Sequence, residues 1–469
     1  MLTVYDEIPY EGFPHPGCHP DQLATVAFLH GLDPPSPERC RVLELGCGSG
    51  ENLLGVAYAL RESRLVGVDL APTPIERACA TAAALGLENI EFQVGDLRDL
   101  AGGSGLGEFD YVVAHGVYSW VDHETRDAVL AACERHLGPQ GIAYVSFNTH
   151  PGGHFRRALR ELAFWYARDA GDRTAVAGRA RELFARLRDL RQDSDAWGAL
   201  LHSELPDLST ASTDFLIHDL LGDHWEPVWF ADFAAAAARH GMQYVGEASF
   251  HRVSGPWEPH VEEGLQQLTG GDRVAYEQIV DFMVWRRFRD SLLCRTTQAV
   301  TDRLDLDRLT ELHFRLAGPL GGLDCEPDAI LIALAARAPR AVPFAELRSE
   351  LGAGAAELAG ALLDRARRGY LTMHLRPPEL ARAEGQRPRI SALARLEAAT
   401  GRRYCTTLLG GLVKLDGPVI RVLLGLADGS RDHDQIRHDL AAAGAPLLEP
   451  EQFESALREV AAMGLIESS

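Results

Sequence analysis

The sequence predicts an α/β protein: a doubly wound, Rossmann-like sheet with a helical insertion, followed by two winged-helix-like α+β units. Three observations carry this. Short apolar runs alternate with amphipathic stretches through the first 150 residues and resume after Pro227. A charged stretch rich in Arg, Ala and Leu interrupts them. Beyond residue 300 an order of three short helices and one strand occurs twice.

Taken in order, Val42-Leu-Glu-Leu-Gly-Cys-Gly-Ser-Gly-Glu-Asn52 is a strand ending in Glu44, a turn with Gly46, Gly48 and Gly50, and a helix from Leu53 to Leu60. Glycines there let a ligand lie against backbone amides at a helix N-terminus. The spacing E-x-G-x-G-x-G lacks the last glycine of a dinucleotide fingerprint and the Lys-Ser/Thr of a P-loop. It favours S-adenosylmethionine (SAM) over NAD or ATP. Arg64–Leu70 is a second strand, with Asp69 at its tip placed to accept ribose hydroxyls and Leu70 beside it. Ile90–Leu97 is a third, with Asp96 placed to accept from an adenine amino group and Leu97 to pack on the ring. The plainer reading makes Asp69 and Asp96 ordinary strand-end turn residues.

Glu108–Val121 is a fourth strand running into a loop, Val129–Leu137 a helix and Gly141–Asn148 a fifth strand. His115, Tyr118, Trp120 and Asn148 fall at the strand ends, where ligands of such sheets bind, and are candidates for the catalytic, substrate side. Helices from Pro151 to about Ser212 form an insertion, as a lid or dimer surface. Pro227–His240 opens a helix, Gly241–Ala248 is a strand, Ala275–Trp285 a helix and Phe288–Arg295 the last strand. The expected domains are 1–150 and 214–300 for the two parts of the core, 151–213 for the insertion, and 301–380 and 381–469 for the C-terminal units. In the first unit Ala329–Ala336, Val342–Leu351 and Ala355–Arg368 precede a strand at Gly369–Leu375. In the second, after a Pro- and Arg-rich linker at Pro377–Arg389, Val419–Leu426, Asp432–Ala441 and Pro450–Met463 precede one at Gly464–Glu467. Deleting 381–469 is expected to spare cofactor binding.

At 469 residues two to four domains are expected. Apolar content of 46% and charged content of 24% are ordinary for globular protein. No apolar run approaches a membrane span and no signal peptide is evident, so membrane insertion is not expected. Eight scattered cysteines without a C-x-x-C pair imply a reducing cytoplasm and neither zinc nor a disulfide framework. The formal charge of −21 disfavours nucleic acid and anionic membrane as partners. The many acids of the second C-terminal unit argue against DNA there in particular. An acidic surface suits a basic protein substrate, and also serves solubility.

The chain resembles the bacterial methyltransferases with a methyltransferase regulatory domain, a family that includes rickettsial outer-membrane-protein lysine methyltransferases. The likeness rests on Tyr5-Asp-Glu-Ile-Pro-Tyr10, Arg41–Gly48, Phe109-Asp-Tyr, His115–Val121, Ala143–Asn148 with Pro151-Gly152, Arg286-Arg-Phe-Arg289 and Leu292-Leu-Cys294, and more weakly on Leu415-Asp416 and Leu426–Arg431. It implies a class I SAM-dependent core, a regulatory segment and an accessory C-terminal region. Glu44, Gly46, Gly48 and Gly50 fall on the glycine motif, Asp69 and Asp96 on the ribose and adenine positions, and Tyr5 and Tyr10 on an arm that caps the site. His115 is counted on the cofactor side as well. Glu51 stands where relatives often have glycine, and Gly153-His154 where they often have Trp.

Such an enzyme mainly aligns and desolvates an in-line attack on the sulfonium methyl. For a lysine acceptor, Tyr118 and Trp120 would hold the amine by cation–π contact and His115 would accept a proton. Three readings follow: a protein lysine methyltransferase; a methyltransferase of a metabolite or biosynthetic peptide; and a SAM-binding regulator without catalysis. A homodimer is compatible with each.

Overall fold

A computed structural model describes residues 3–8, 10, 12–102, 105–250, 257–377, 380–381, 385–415 and 418–467. Pro9, Asp416 and linker positions 378–379 and 382–384 lie outside the described residues.

Seven strands form the central sheet: β1 (Arg41–Leu45), β2 (Arg64–Asp69), β3 (Ile90–Val94), β4 (Phe109–Ala114), β5 (Leu137–Asn148), β6 (Met242–Glu247) and β7 (Phe288–Arg295). Their order is β3-β2-β1-β4-β5-β7-β6. The first five are parallel, pairing for example Leu43 with Val66 and with Val112. The last strand, β7, slips between β5 and β6 and runs antiparallel to both. The order in which strands are added reverses between β1 and β4, which opens a crevice at the strand C-termini on that side.

Local chemistry sets the element limits. The helix read as starting at Val129 begins at His123, because the Asp122 side chain accepts the Thr125 N–H at 2.8 Å and caps it. Its end moves to His136, since Leu137 already belongs to β5. Leu97 opens a short helix, Leu97–Gly102, instead of closing β3.

One apolar cluster on the sheet packs Val129, Leu130, Phe147, Phe230 and Phe233. A second runs from Leu23, Val26 and Val56 into Phe314, Leu347 and Leu362, so the core continues across the expected boundary at residue 300. The insertion helices Gly152–Tyr166, Arg173–Leu190 and Ala196–Thr210 gather around Phe155, Phe184 and Leu205, with Val4 and Ile8 of the N-terminal arm against them.

The Arg286–Arg289 motif has a structural use. Arg289 is fully buried and meets Glu247 at 2.5 Å, Asp281 at 2.7 Å and Glu277 at 2.9 Å, while Arg286 meets Asp281 at 2.6 Å. These pairs fix β7 against β6 and the helix Arg273–Met283.

The first C-terminal unit holds a three-stranded sheet of β8 (His313–Leu316), β9 (Val342–Pro343) and β10 (Leu371–His374), in the order β10-β8-β9, with helices Ala329–Ala335, Phe344–Leu351 and Ala355–Arg367. Val342 is thus a strand residue and not the start of a helix. In the second unit Pro418–Leu426, His433–Ala442 and Pro450–Ala462 are helices as expected. The strand expected at Gly464–Glu467 is a single bridge between Ile466 and Ile390. A helix, Ala392–Ala399, and a hairpin of β11 (Tyr404–Thr406) and β12 (Leu412–Lys414) precede them. Among the described residues no helix is long and apolar enough to cross a membrane.

Candidate functional site

The turn after β1 turns left-handed at three glycines, Gly46 (φ 73°), Gly48 (φ 53°) and Gly50 (φ 79°), but their surroundings differ. A Cβ on Gly46 would lie 2.4 Å from Val117 and one on Gly50 2.6 Å from Phe92. Those two let the turn pack. At Gly48 the nearest atom is a Glu51 carboxylate oxygen at 3.9 Å, so this glycine faces open space.

Asp69 lies beside it, its Oδ2 accepting the Gly48 N–H and its Oδ1 the Ala71 N–H, each at 2.9 Å. Each oxygen keeps a lone pair for a further donor. Glu44 is buried at the end of β1; its Oε1 accepts from Asn52 Nδ2 at 2.7 Å and its Oε2 has no partner among the described residues. Burial pushes its carboxyl up to about 8, aided by Glu51 and Asp69 and opposed by the Asn52 hydrogen bond. Asn52 Oδ1 accepts the His15 N–H at 2.8 Å, which ties the N-terminal arm to the turn.

Glu51, in place of the expected glycine, meets Arg402 of the second C-terminal unit at 2.9 Å. Its neighbour Gly12 leaves room for it, since a Cβ there would stand 2.9 Å from the Glu51 carboxyl. Gly153 is explained similarly: a Cβ would lie 2.6 Å from Pro227.

Asp96 is gripped by Arg98, with Nε at 3.0 and 3.1 Å from its two oxygens, and this hydrogen bonding holds its carboxyl below the usual range. Leu97 is buried and Leu70 exposed.

On the other side of the crevice His115 Nδ1 lies 2.9 Å from the Tyr144 hydroxyl, and its ring sits 3.6 Å from that of His15. Asn148 Oδ1 accepts the Trp225 indole N–H at 3.1 Å, and Trp120 packs 6.4 Å from Trp225. Asn148 and Trp225 line a cavity of about 620 Å³ with Arg156, Glu204 and Trp285.

Tyr118 departs from expectation. It is 5% exposed and its ring is taken up by Phe233 at 5.4 Å and Phe147 at 6.0 Å. Arg126 stands 5.9 Å from the ring centre. With the ring packed inward against Phe233 and Phe147, the expected cation–π face toward an acceptor is not presented.

The roof comes from the N-terminal arm and from a wide helical turn, Leu216–Leu220, after the insertion. Tyr5 stacks on His218 at 4.5 Å and Tyr10 meets it edge-on at 5.3 Å. Tyr10 hydrogen-bonds Asp219, and burial followed by this carboxylate raises its hydroxyl. Burial pushes Asp219 up to about 6, and its Oδ2 has no partner among the described residues. Burial, Asp219 and Asp69 push the Tyr5 hydroxyl up to about 12, placing it under the influence of both acids.

Residues 42–141 match the family described as "Methyltransferase domain", 212–295 "Predicted methyltransferase regulatory domain" and 386–446 "PKMT, C-terminal winged helix domain". An uncharacterised protein of Rickettsia prowazekii is 32% identical over 236 residues, which cover 50% of this chain and 94% of that protein. The chain belongs to the SAM-dependent methyltransferases with a methyltransferase regulatory domain. Another uncharacterised R. prowazekii protein is 33% identical over 311 residues, 66% of this chain; the alignment spans 56% of that protein. The structure of PKMT2 from Rickettsia typhi in complex with AdoHcy superposes with a TM-score of 0.83 and 26% identity over 98% of this chain and 100% of that one.

The methyltransferase has residues that fit its cofactor, SAM. Gly48 leaves a surface without a side chain, Asp69 keeps free lone pairs for hydroxyls, and the bare buried oxygen of Glu44 suits a donor or cation. Asp219, His218, Arg156 and Arg402 escaped the sequence reading. Asp219 lies far along the chain in an irregular turn with no periodicity to announce it. Asn52, inside the glycine motif, was within reach as the polar residue facing back to Glu44.

Proposed function

We propose that this methyltransferase acts on the side-chain amine of lysine in a protein or peptide. The observation that carries the reading is Asp219, a buried carboxylate with one bare oxygen, held under the Tyr5, Tyr10 and His218 rings near Asp69. Likeness to PKMT2, a protein lysine methyltransferase by its abbreviation, extends over nearly the whole chain and supports it. An apolar rim of Phe282, Met283, Val284 and Trp285, each at least 40% exposed, borders the 620 Å³ cavity and suits a macromolecular partner.

SAM supplies an electrophilic methyl group on a sulfonium. Gly48, Asp69 and Glu44 would hold it, and Asp96, shared with Arg98, would serve the adenine. An ammonium has no lone pair, so the acceptor lysine must shed a proton before it can act as a nucleophile. Ionised Asp219 accepts a hydrogen bond from the amine and directs the lone pair inward, the proton passing to solvent. The Tyr5 and Tyr10 rings face the amine as aromatic walls. His115, Trp120 and Asn148 shape the opposite wall, and Tyr118 stiffens it from behind.

Transfer of labelled methyl from SAM into a cell extract tests this. Protease-sensitive label that co-elutes with methyl-lysine after hydrolysis is expected. Label confined to small molecules would replace lysine by a metabolite acceptor, and SAM binding without transfer would favour the regulator.

A further inference from the structure

We propose that a cavity between β8, β10 and the β11–β12 hairpin binds a small organic anion, a carboxylate or phosphate head on a short apolar body. The cavity measures about 370 Å³ and is remote in sequence from the glycine turn. On its wall Arg315 is 6% exposed, makes no ion pair among the described residues and donates to the Ala462 carbonyl at 3.3 Å. Burial alone pulls this guanidinium down to about 10, with no carboxylate opposing it. A buried cation without a counter-charge is costly, and an anion in the cavity would supply one.

A second donor points the same way. His19 Nδ1 accepts the Asp21 N–H at 3.2 Å, which leaves the proton of the neutral ring on Nε2, and that atom is buried without a partner among the described residues. Burial holds this histidine down to about 4, so it is neutral. Asp21, also in the wall, is already committed: Oδ2 to His374 Nδ1 at 2.8 Å and Oδ1 to the Arg376 N–H at 2.6 Å. Leu409, Leu412, Val413 and Met463 give the rest of the wall an apolar character, which bare phosphate would not use.

Both walls lead to the cofactor turn. Pro16 follows His15, whose N–H binds Asn52, and the hairpin follows Arg402, which pairs with Glu51.

Calorimetry on the full chain with hexanoate and with hexyl phosphate tests the site, the two probes separating carboxylate from phosphate. Saturable binding of at least one is expected. Arg315→Met should weaken it at least about tenfold, the loss of a charged hydrogen bond, and Leu412→Trp should block it by filling the cavity. If Arg315→Met does not fold, Leu412→Trp and Arg315→Lys decide. Absence of binding by both probes, or equal binding by these variants, overturns the proposal.

Discussion

Glu44 and Asp219 are acids whose surroundings oppose their charge, and each makes a prediction. Glu44 rises from 4.5 to about 8 on burial. Without cofactor the unfolded chain ionises this group first, so its contribution to stability is whole below pH 4.5 and is lost as pH climbs to about 8. Glu44→Gln should therefore gain on the wild type through that window and level off beyond it, as thermal unfolding against pH will read; a gap independent of pH would place the charge elsewhere. Asp219, raised to about 6, should impose an acid limb on the rate near that pH. In Asp219→Asn the limb should vanish and kcat fall while SAM affinity holds; equal loss of both would make it a cofactor residue. The positions of Asp69 and Glu44 were legible because short-range pattern places them on strand tips. Asp219 was not, since only the packing of a distant turn against the arm brings it to the crevice. Tyr118 shows the opposite failure: a strand end locates a residue, but the turn that follows decides which way its ring points.

At the scale of elements, all seven strands of the central sheet could be read, because buried strands carry dense apolar runs. The elements that escaped are short and owe their form to neighbours. β8 has four residues, and the hairpin pairs only three residues a side. The helix Pro259–Thr269 also went unread, although Pro at its first turn marks such a start. The hairpin region carries a consequence for stability, for Arg402 neutralises the buried Glu51 at the head of the cofactor helix. Arg402 is about a third exposed, so Arg402→Ala should cost about 1–2 kcal/mol, less than a fully buried pair. Denaturant unfolding checks this, and adding Glu51→Gln should restore part of the loss by removing the stranded charge. A loss unchanged by Glu51→Gln would deny the pairing its role.

For the whole molecule, the sequence suggested units strung beside a self-sufficient core, but the contacts describe a wrap. Arg402 grips Glu51, Tyr58 bonds Glu467, and the Thr406 methyl fills space against Gly55. Deletion of 381–469 is accordingly expected to weaken SAM binding, in contrast with the separable unit that the sequence suggests; titration of the truncated chain will show it, and unchanged affinity would mean that these contacts are incidental. The same wrap sets a clock on the ribosome. Glu51 and Arg402 are 351 residues apart, a stretch that takes roughly 20–70 s to translate at about 5–20 residues per second. Through that interval the nascent chain exposes a glycine turn whose Glu51 lacks Arg402, so cofactor capture is expected late in synthesis and not as soon as the motif emerges.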